Sequence, residues 1–549
     1  MQIRLILSIS FLLLGLATLA QTSANSYYWI ALRNKSGTPY VINHPEKFLS
    51  QRAIDRRIRQ GIPVDQTDLP VSPAYLDTLI DHGVTVVHSS KWLNGVTVST
   101  PDTSLIKQIA KLPFVVSVQL TKPALPKKST RIKFKDEEVI NAFNPLNYGV
   151  ALTQLTQLNG QYLHSQGFRG KGIQVAILDA GFWHANVIPA LDSLRNSGRI
   201  MGTHDFVDPT SDIYTQHTHG TSVLSCMGGN LPKTLIGTAP DASYYLFRTE
   251  DEPTEYMIEE DNWVAAAELA DSLGVDLINS SLGYYLFDDP LMDHSYSDMN
   301  GNKTRVTQGA NMAFQKGILV FTSAGNEGDK VWRHIIAPSD GENVIGVAAV
   351  DKLGIRASFS SVGPAWGGAI KPNVAAMGSS TFLITSASVP GYSSGTSFSS
   401  PVLAGMGACL LQANPYSSVK LVKKAIEQSA SIYNSPDSLL GYGIPDFGKA
   451  DKYLKLYTTI PVSTLKTAWE VYPNPFTDML TIRNRDLLSA ATCQISICNV
   501  KGVCLWQSNF PVSETIELKN LPKFANGLMV LTIRYGGREE NFKLIKTTR

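Results

Sequence analysis

Cysteine is scarce, with five in 549 residues, where a small secreted scaffold held by disulfides would carry many more. The chain is therefore no disulfide framework, and an odd count leaves at least one thiol free or paired elsewhere. Charge of one sign is missing too. Lys and Arg total 48 against 46 Asp and Glu, a net of +2, so no field over the surface favours a polyanion, and nucleic acid falls away as a partner. Beyond the first residues no apolar run is long enough to cross a bilayer, and the mature chain is expected to be soluble. What is present in ordinary measure, 43% hydrophobic and 17% charged residues, excludes disorder, collagen and coiled coil, and the length exceeds one ordinary domain.

The N-terminus speaks about compartment. Arg4 precedes an apolar run from Leu5 to Leu16 and then small residues ending at Ala20 or Ala24, the pattern of a secretory signal peptide over 1–20 with cleavage as late as 24. A membrane anchor would need about 20 apolar residues.

Three textures follow. Between 25 and 120, Tyr27 to Leu32 predicts a strand, Phe48 to Ile58 a helix with Ile54 and Ile58 four apart, and Ala74 to Ile80 a second helix. Val84 to His88 and Gly95 to Thr100 alternate as strands, Leu105, Ile109 and Leu112 recur at helical spacing, and Val115 to Leu120 completes a small α+β unit. Residues 121–147, with Lys122, Lys127, Lys128, Arg131, Lys133 and Lys135, read as an exposed linker and a processing site. Over 148–457 buried strands (Ile173 to Leu178, Ser243 to Phe247, Val275 to Asn279, Ile318 to Thr322, Val344 to Val350) alternate with helices such as Tyr256 to Leu273 and Val306 to Lys316. That order implies an α/β fold, a parallel sheet with helices on both faces. After a linker at 458–469, residues 470–549 carry short alternating strands, with a hairpin turn at Lys501-Gly502, and predict an all-β sandwich.

In a parallel sheet, functional groups gather at the carboxyl ends of strands. Asp179 stands there, after Val175-Ala-Ile-Leu178 and before Ala180-Gly181; alone it would be a turn or cap aspartate. His219 lies in Gln216-His-Thr-His-Gly-Thr-Ser222, and Ser397 in Ser393-Ser-Gly-Thr-Ser-Phe-Ser-Ser-Pro401 ahead of an apolar helix. If that helix starts just after Ser397, Pro401 falls among the first four positions, where a missing N–H costs nothing, and Ser397 stands at the positive end of the helix dipole. Asn326, in Phe321-Thr-Ser-Ala-Gly-Asn-Glu-Gly328, ends a strand where a side-chain amide would donate to an oxyanion. Singly, each has an ordinary structural use. Together they supply nucleophile, base, orienting carboxylate and oxyanion donor.

Ile177-Leu-Asp-Ala-Gly181, His219-Gly-Thr221, Ala324-Gly-Asn-Glu-Gly328 and Gly395-Thr-Ser-Phe-Ser-Ser-Pro401 resemble the motifs of the subtilisin-like serine peptidases, and the order Asp179, His219, Ser397 matches that family's. The resemblance covers roughly 148 to 455. It implies a secreted serine endopeptidase on a subtilisin-like sheet, with Ser397 as nucleophile, His219 as base, Asp179 as its orienter and Asn326 in the oxyanion hole. It also implies a substrate-binding edge at Ser281, Leu282 and Gly283, within Asn279-Ser-Ser-Leu-Gly283, and a specificity pocket lined by Ala324 and Gly325. Ala180 and Phe398 depart from the family's frequent Thr or Ser and Met. No cofactor is required for such chemistry; structural calcium fits the family, but no loop shows ligand spacing for it, and Asp251, Asp261, Asp288 and Asp289 read as solvated loop carboxylates.

The 25–120 unit resembles that family's inhibitory propeptide. Tyr472-Pro-Asn-Pro-Phe476, with the basic end from Lys543 to Arg549, is similar to the sorting domains of type IX secretion. The partners so implied are polypeptide substrates, the chain's own propeptide and the outer-membrane secretion machinery. The rival readings are a metal site at His217 and His219 with Asp179 or Asp205, a nucleophile at Cys226 or Cys409, and an adhesin or binding protein that keeps a peptidase fold without turnover.

Overall fold

The computed structural model describes residues 24–126, 133, 148–459, 468–484, 492–499, 503–519, 521–522, 524–536 and 538–547. The signal peptide over 1–20, most of the 121–147 and 458–469 linkers, and the Lys501-Gly502 turn lie outside the described residues. The chain divides into two compact units, residues 1–456 and 457–549.

The first unit opens with a four-stranded antiparallel sheet in the order β2-β3-β1-β4, built from β1 (Ser26–Leu32), β2 (Thr85–Ser90), β3 (Gly95–Thr100) and β4 (Val115–Lys122). Helices α1 (Gln51–Gln60), α2 (Pro73–Asp81) and α3 (Ser104–Ile109) accompany it. Helix α1 starts where the Ser50 side chain accepts from the Ala53 N–H and stops at Gly61 in the left-handed conformation. Its buried face is not the one that Ile54 and Ile58 suggested. Ile58 is exposed, whereas Ala53, Arg56 and Arg57 are buried, because this face docks on an acidic patch and ion pairing overrides the apolar stripe.

That patch belongs to the following α/β body. Seven parallel strands run in the order β11-β10-β9-β8-β5-β7-β6, namely β5 (Gln174–Asp179), β6 (Ile200–Asp205), β7 (Ser243–Arg248), β8 (Leu277–Ser280), β9 (Leu319–Ser323), β10 (Ile345–Val350) and β11 (Val374–Met377). Alternation along β5 sorts its side chains between two cores. Val175 and Ile177 face the layer of α4 (His219–Gly228) and α7 (Thr396–Ala413); Ala176 and Leu178 face that of α5 (Ile258–Leu273) and α6 (Arg305–Gln315). Two of the seven strands carry no clear sequence signal. β6 is a half-exposed edge strand and β11 has four residues, too few for a period to show.

The N-terminal sheet packs on α5 and α6, and Trp92 joins their core. The polar contacts there are dense. Asp271 accepts from Arg56, from Arg57 at 2.8 Å through both oxygens, and from Lys91 at 3.1 Å. Lys316 reaches Asp65 and Asp68 at 3.0 and 3.1 Å, and Glu268 accepts from Ser90, Lys91 and Trp92.

The second unit has two antiparallel sheets around one core of Trp469, Ile482, Ile495, Ile497, Leu531 and Ile533. The strand Trp469–Tyr472, unmarked in the sequence, pairs with Leu480–Asn484. The Asn474 side chain bonds both ways to the last strand, with Nδ2 to the Lys543 carbonyl and Oδ1 from the Ile545 N–H, each 2.8 Å.

Candidate active site

Asp179 ends β5 and is fully buried. Its Oδ1 accepts from the Ala180 N–H at 2.8 Å and from His219 Nδ1 at 2.7 Å. Oδ2 has no hydrogen-bond partner among the described residues, and Ala180, with no hydroxyl, offers none. His219 opens α4 beside β5 because glycines permit the approach. A Cβ on Gly220 would meet the Gly181 carbonyl at 2.4 Å and the Asp179 Cβ at 3.0 Å. The His219 N–H also donates to His217 Nδ1 at 3.1 Å.

Ser397 is the second residue of α7. Pro401 is therefore the sixth, not one of the first four as the sequence suggested, and it sits inside the helix. Its missing N–H is the one that would have bonded to the Ser397 carbonyl. That carbonyl is satisfied from outside the helix, accepting the Ser281 hydroxyl at 2.7 Å. The Ser397 hydroxyl in turn donates to the Ser281 carbonyl at 3.3 Å. Ser281, at the carboxyl end of β8, thus pins the start of α7, and Asn279 bridges it to Ser400. The proline locks the helix to the sheet through a neighbour's side chain.

Asn326, half-buried after β9, is oriented without ambiguity. Its Oδ1 accepts from both the N–H (2.9 Å) and the hydroxyl (2.8 Å) of Thr396, so the amide nitrogen is the end turned toward Gly395 and the start of α7, 3.7 Å from where a Gly395 Cβ would stand. Thr396 also accepts from the Gly325 N–H. This positioning role was missed in the sequence, although Thr396 lies inside the motif that carries Ser397. The Phe398 ring lies 5.7 Å from that of His219.

The other anticipated residues gather here too. Ser281 and Leu282 are buried and Gly283 half-buried just past β8, and Ala324 and Gly325 are buried just past β9. Gly325 has φ +108° and no room for a Cβ, which would lie 2.7 Å from the Ser361 hydroxyl. The rival nucleophiles fare poorly. Cys226 and Cys409 are fully buried, and burial pushes both thiols far up. Asp205 is taken by Arg248 at 2.9 Å.

Two sequence readings need correction. Asp261 is no solvated loop carboxylate; it lies buried in α5, bonded to Arg305 and Thr97, because the N-terminal sheet covers that face. Asp251 pairs with Lys122, and Asp288 and Asp289 accept backbone N–H groups. Nor is Lys133 exposed. Its side chain is buried among Glu250, Glu255 and Glu259, the group able to hold a cation among the described residues.

A buried carboxylate holding an imidazole, next to a serine at a helix start and an anchored amide, is the equipment of acyl transfer by a serine hydrolase. Comparison with known proteins fits this class. Residues 170–443 match the model of the subtilase family, 27–136 that of the peptidase S8 propeptide domain of Bacteroidota, and 470–547 that of a secretion system C-terminal sorting domain. The thermostable alkaline protease of Halalkalibacterium halodurans is 27% identical over 353 residues, 64% of this chain and 86% of that one. Subtilisin E of Bacillus subtilis is 26% identical over 359 residues, 65% and 80% of the respective chains. A solved structure, that of the prenylagaramide maturation protease PagA, aligns at TM-score 0.44 and 22% identity, over 54% of this chain and 98% of its own.

The chain belongs to the subtilase family, and it is a subtilisin-like serine endopeptidase with a propeptide. Its sorting domain directs it through type IX secretion to the cell surface or the extracellular space.

Proposed function

We propose that the chain hydrolyses polypeptides through Asp179, His219 and Ser397 by way of an acyl-enzyme. Ser397 Oγ attacks the substrate carbonyl while His219 takes its proton and later returns it to the leaving amine. Asp179, bonded to Nδ1, fixes the tautomer that presents Nε2 and stabilises the imidazolium. Developing negative charge on the carbonyl oxygen is met by the Asn326 amide and the Ser397 N–H at the positive end of α7. The run Ser281 to Gly283 takes the substrate backbone in extended form, and Ala324 and Gly325 line the pocket for the side chain at the cleaved bond. The observation that carries this reading is the 2.7 Å bond between the buried Asp179 and His219 Nδ1.

The N-terminal unit acts as an internal inhibitor, docked by buried ion pairs and shed by self-cleavage, and the sorting domain engages the outer-membrane machinery. The test follows precursor size over time for wild type and Ser397→Ala, together with cleavage of a denatured protein. Wild type alone should shed its N-terminal unit and degrade substrate. If both chains stay intact and inert, the non-catalytic binding-protein reading replaces this one.

A further inference from the structure

Close to this site lies a second group of chemistry-bearing side chains, which the proposed mechanism does not use. The carboxylates of Glu250, Glu255 and Glu259 lie within 4.8 Å of one another. Glu250, just past β7, and Glu259, in the first turn of α5, are buried; Glu255 is half-buried between them. Desolvation and mutual repulsion push Glu250 up to about 7 and Glu259 well above the ordinary carboxylate range. Three such groups can be ionised side by side only next to a cation.

The cation present comes from another part of the chain. The Lys133 ammonium, its side chain 7% exposed, lies 2.7 and 2.9 Å from the Glu259 oxygens, 3.0 Å from Glu255 and 3.8 Å from Glu250. It also donates to the Asp251 carbonyl at 3.2 Å. Lys133 belongs to the stretch matched by the propeptide family and precedes the peptidase domain, so maturation would remove it. The pocket adjoins the candidate cleft. Glu250 accepts the Tyr284 hydroxyl at 2.5 Å, Tyr284 directly follows the run Ser281 to Gly283, and the neighbouring Thr249 N–H donates to the Asp179 carbonyl at 2.9 Å.

We propose that Glu250, Glu255 and Glu259 form a lysine-binding specificity pocket, which takes a lysine side chain of the polypeptide substrate and which Lys133 fills in the precursor. This rests on the peptidase reading above. The geometry suits an ammonium. Its three N–H donors, set around a point charge, match acceptors converging from Glu259, Glu255 and the Asp251 carbonyl, whereas a planar guanidinium favours one carboxylate in a bidentate pair. The occupant observed is an ammonium at hydrogen-bond distances, so a substrate lysine is favoured over a metal ion.

The test uses the full-length chain after self-processing, with Ser397 sites counted by a fluorophosphonate reagent. A set of peptides places lysine at successive positions before one cleavage site, each paired with a norleucine twin of similar length and no charge. Lysine at one position should raise kcat/KM about 30-fold or more over its twin, the scale expected for a desolvated, hydrogen-bonded charge pair. In Glu255→Gln and Glu259→Gln that ratio should fall to within about threefold of unity, with fluorophosphonate labelling showing that the serine site is still assembled. Glu255→Lys, at the rim where folding tolerates change best, should reverse the preference. A wild-type ratio near unity at every position, or one that survives the glutamine variants, overturns the pocket while leaving the peptidase standing. Calcium chloride bound at a site lost in Glu259→Gln, with no lysine preference, also overturns it and gives the carboxylates to a metal ion. No cleavage of any peptide and no labelling would instead sink the peptidase reading.

Discussion

Asp271→Asn puts the docking of the N-terminal unit to a quantitative test. The Asp271 carboxylate is fully buried on α5 and accepts from three cations of that unit, Arg56, Arg57 and Lys91. Burial alone would raise its carboxyl; Lys91, Arg56 and Arg57 together hold it well below the usual range. The amide variant leaves these cations buried around a neutral group while the unit stays docked, and release returns them to water. The penalty therefore falls on the docked state. Breaking a buried pair in this way costs about 3–5 kcal/mol, or roughly 10²- to 5 × 10³-fold in the affinity of the cleaved unit. The assay is the lag before activity on a reporter peptide appears when the self-processed full-length chain is diluted. Asp271→Asn should abolish that lag, and Arg59→Ala should not, since Arg59 is exposed and 3.7 Å from its partner Asp276. The sign with pH is also fixed. A carboxyl depressed in the docked state gives its full contribution above its ordinary value near 4 and loses it only as pH falls below that, toward the docked value. A lag for Asp271→Asn within twofold of wild type would refute the assignment of docking to this cluster.

Other consequences can be checked in the same preparations. Asn326→Ala should lower kcat by about 10²–10³ with KM little changed; a change in KM alone would mean the amide binds substrate without serving the oxyanion. Ser281→Ala strips the Ser397 carbonyl of its donor and should cost about 1–3 kcal/mol of stability. In a Pro401→Ala background, where an N–H is restored to that carbonyl, the same substitution should cost less, and a double-mutant cycle in thermal unfolding reads the difference. Burial holds the His88 imidazole, bonded to Asn262 and the Phe206 carbonyl, below its ordinary value. The released unit then takes up a proton that the docked one resists, so docking should weaken as pH falls below about 6.5. A release rate identical at pH 7.5 and 5.5, or unchanged in pH dependence by His88→Gln, would contradict this.

Much of the architecture was legible because buried parallel strands and amphipathic helices announce themselves through apolar runs and spacing. The central strands of the large sheet were found that way. The edge strand Ile200–Asp205 and the short strands Val374–Met377 and Trp469–Tyr472 escaped, since partial exposure and brevity blur the period. Helix α1 misled, because Ile54 and Ile58 promised one buried face while Arg56 and Arg57 form the real one. A sequence pattern reports hydrophobicity, and that face is held by ion pairs whose partner is more than 200 residues away.

The sequence by itself determined the class of chemistry, the succession of units and the four short motifs, because each motif is local: a residue type at a strand end or helix start among small neighbours. Only the tertiary structure decided what those residues do to one another. It brought Asp179 and His219 to 2.7 Å, turned the Asn326 amide by anchoring its carbonyl on Thr396, and answered the gap left by Pro401 with the Ser281 hydroxyl. It likewise turned a lysine in an apparent linker into the occupant of an acidic pocket. Hydrogen bonds and ion pairs of this kind depend on distance and burial between segments far apart in the chain, and neither quantity is written in local order.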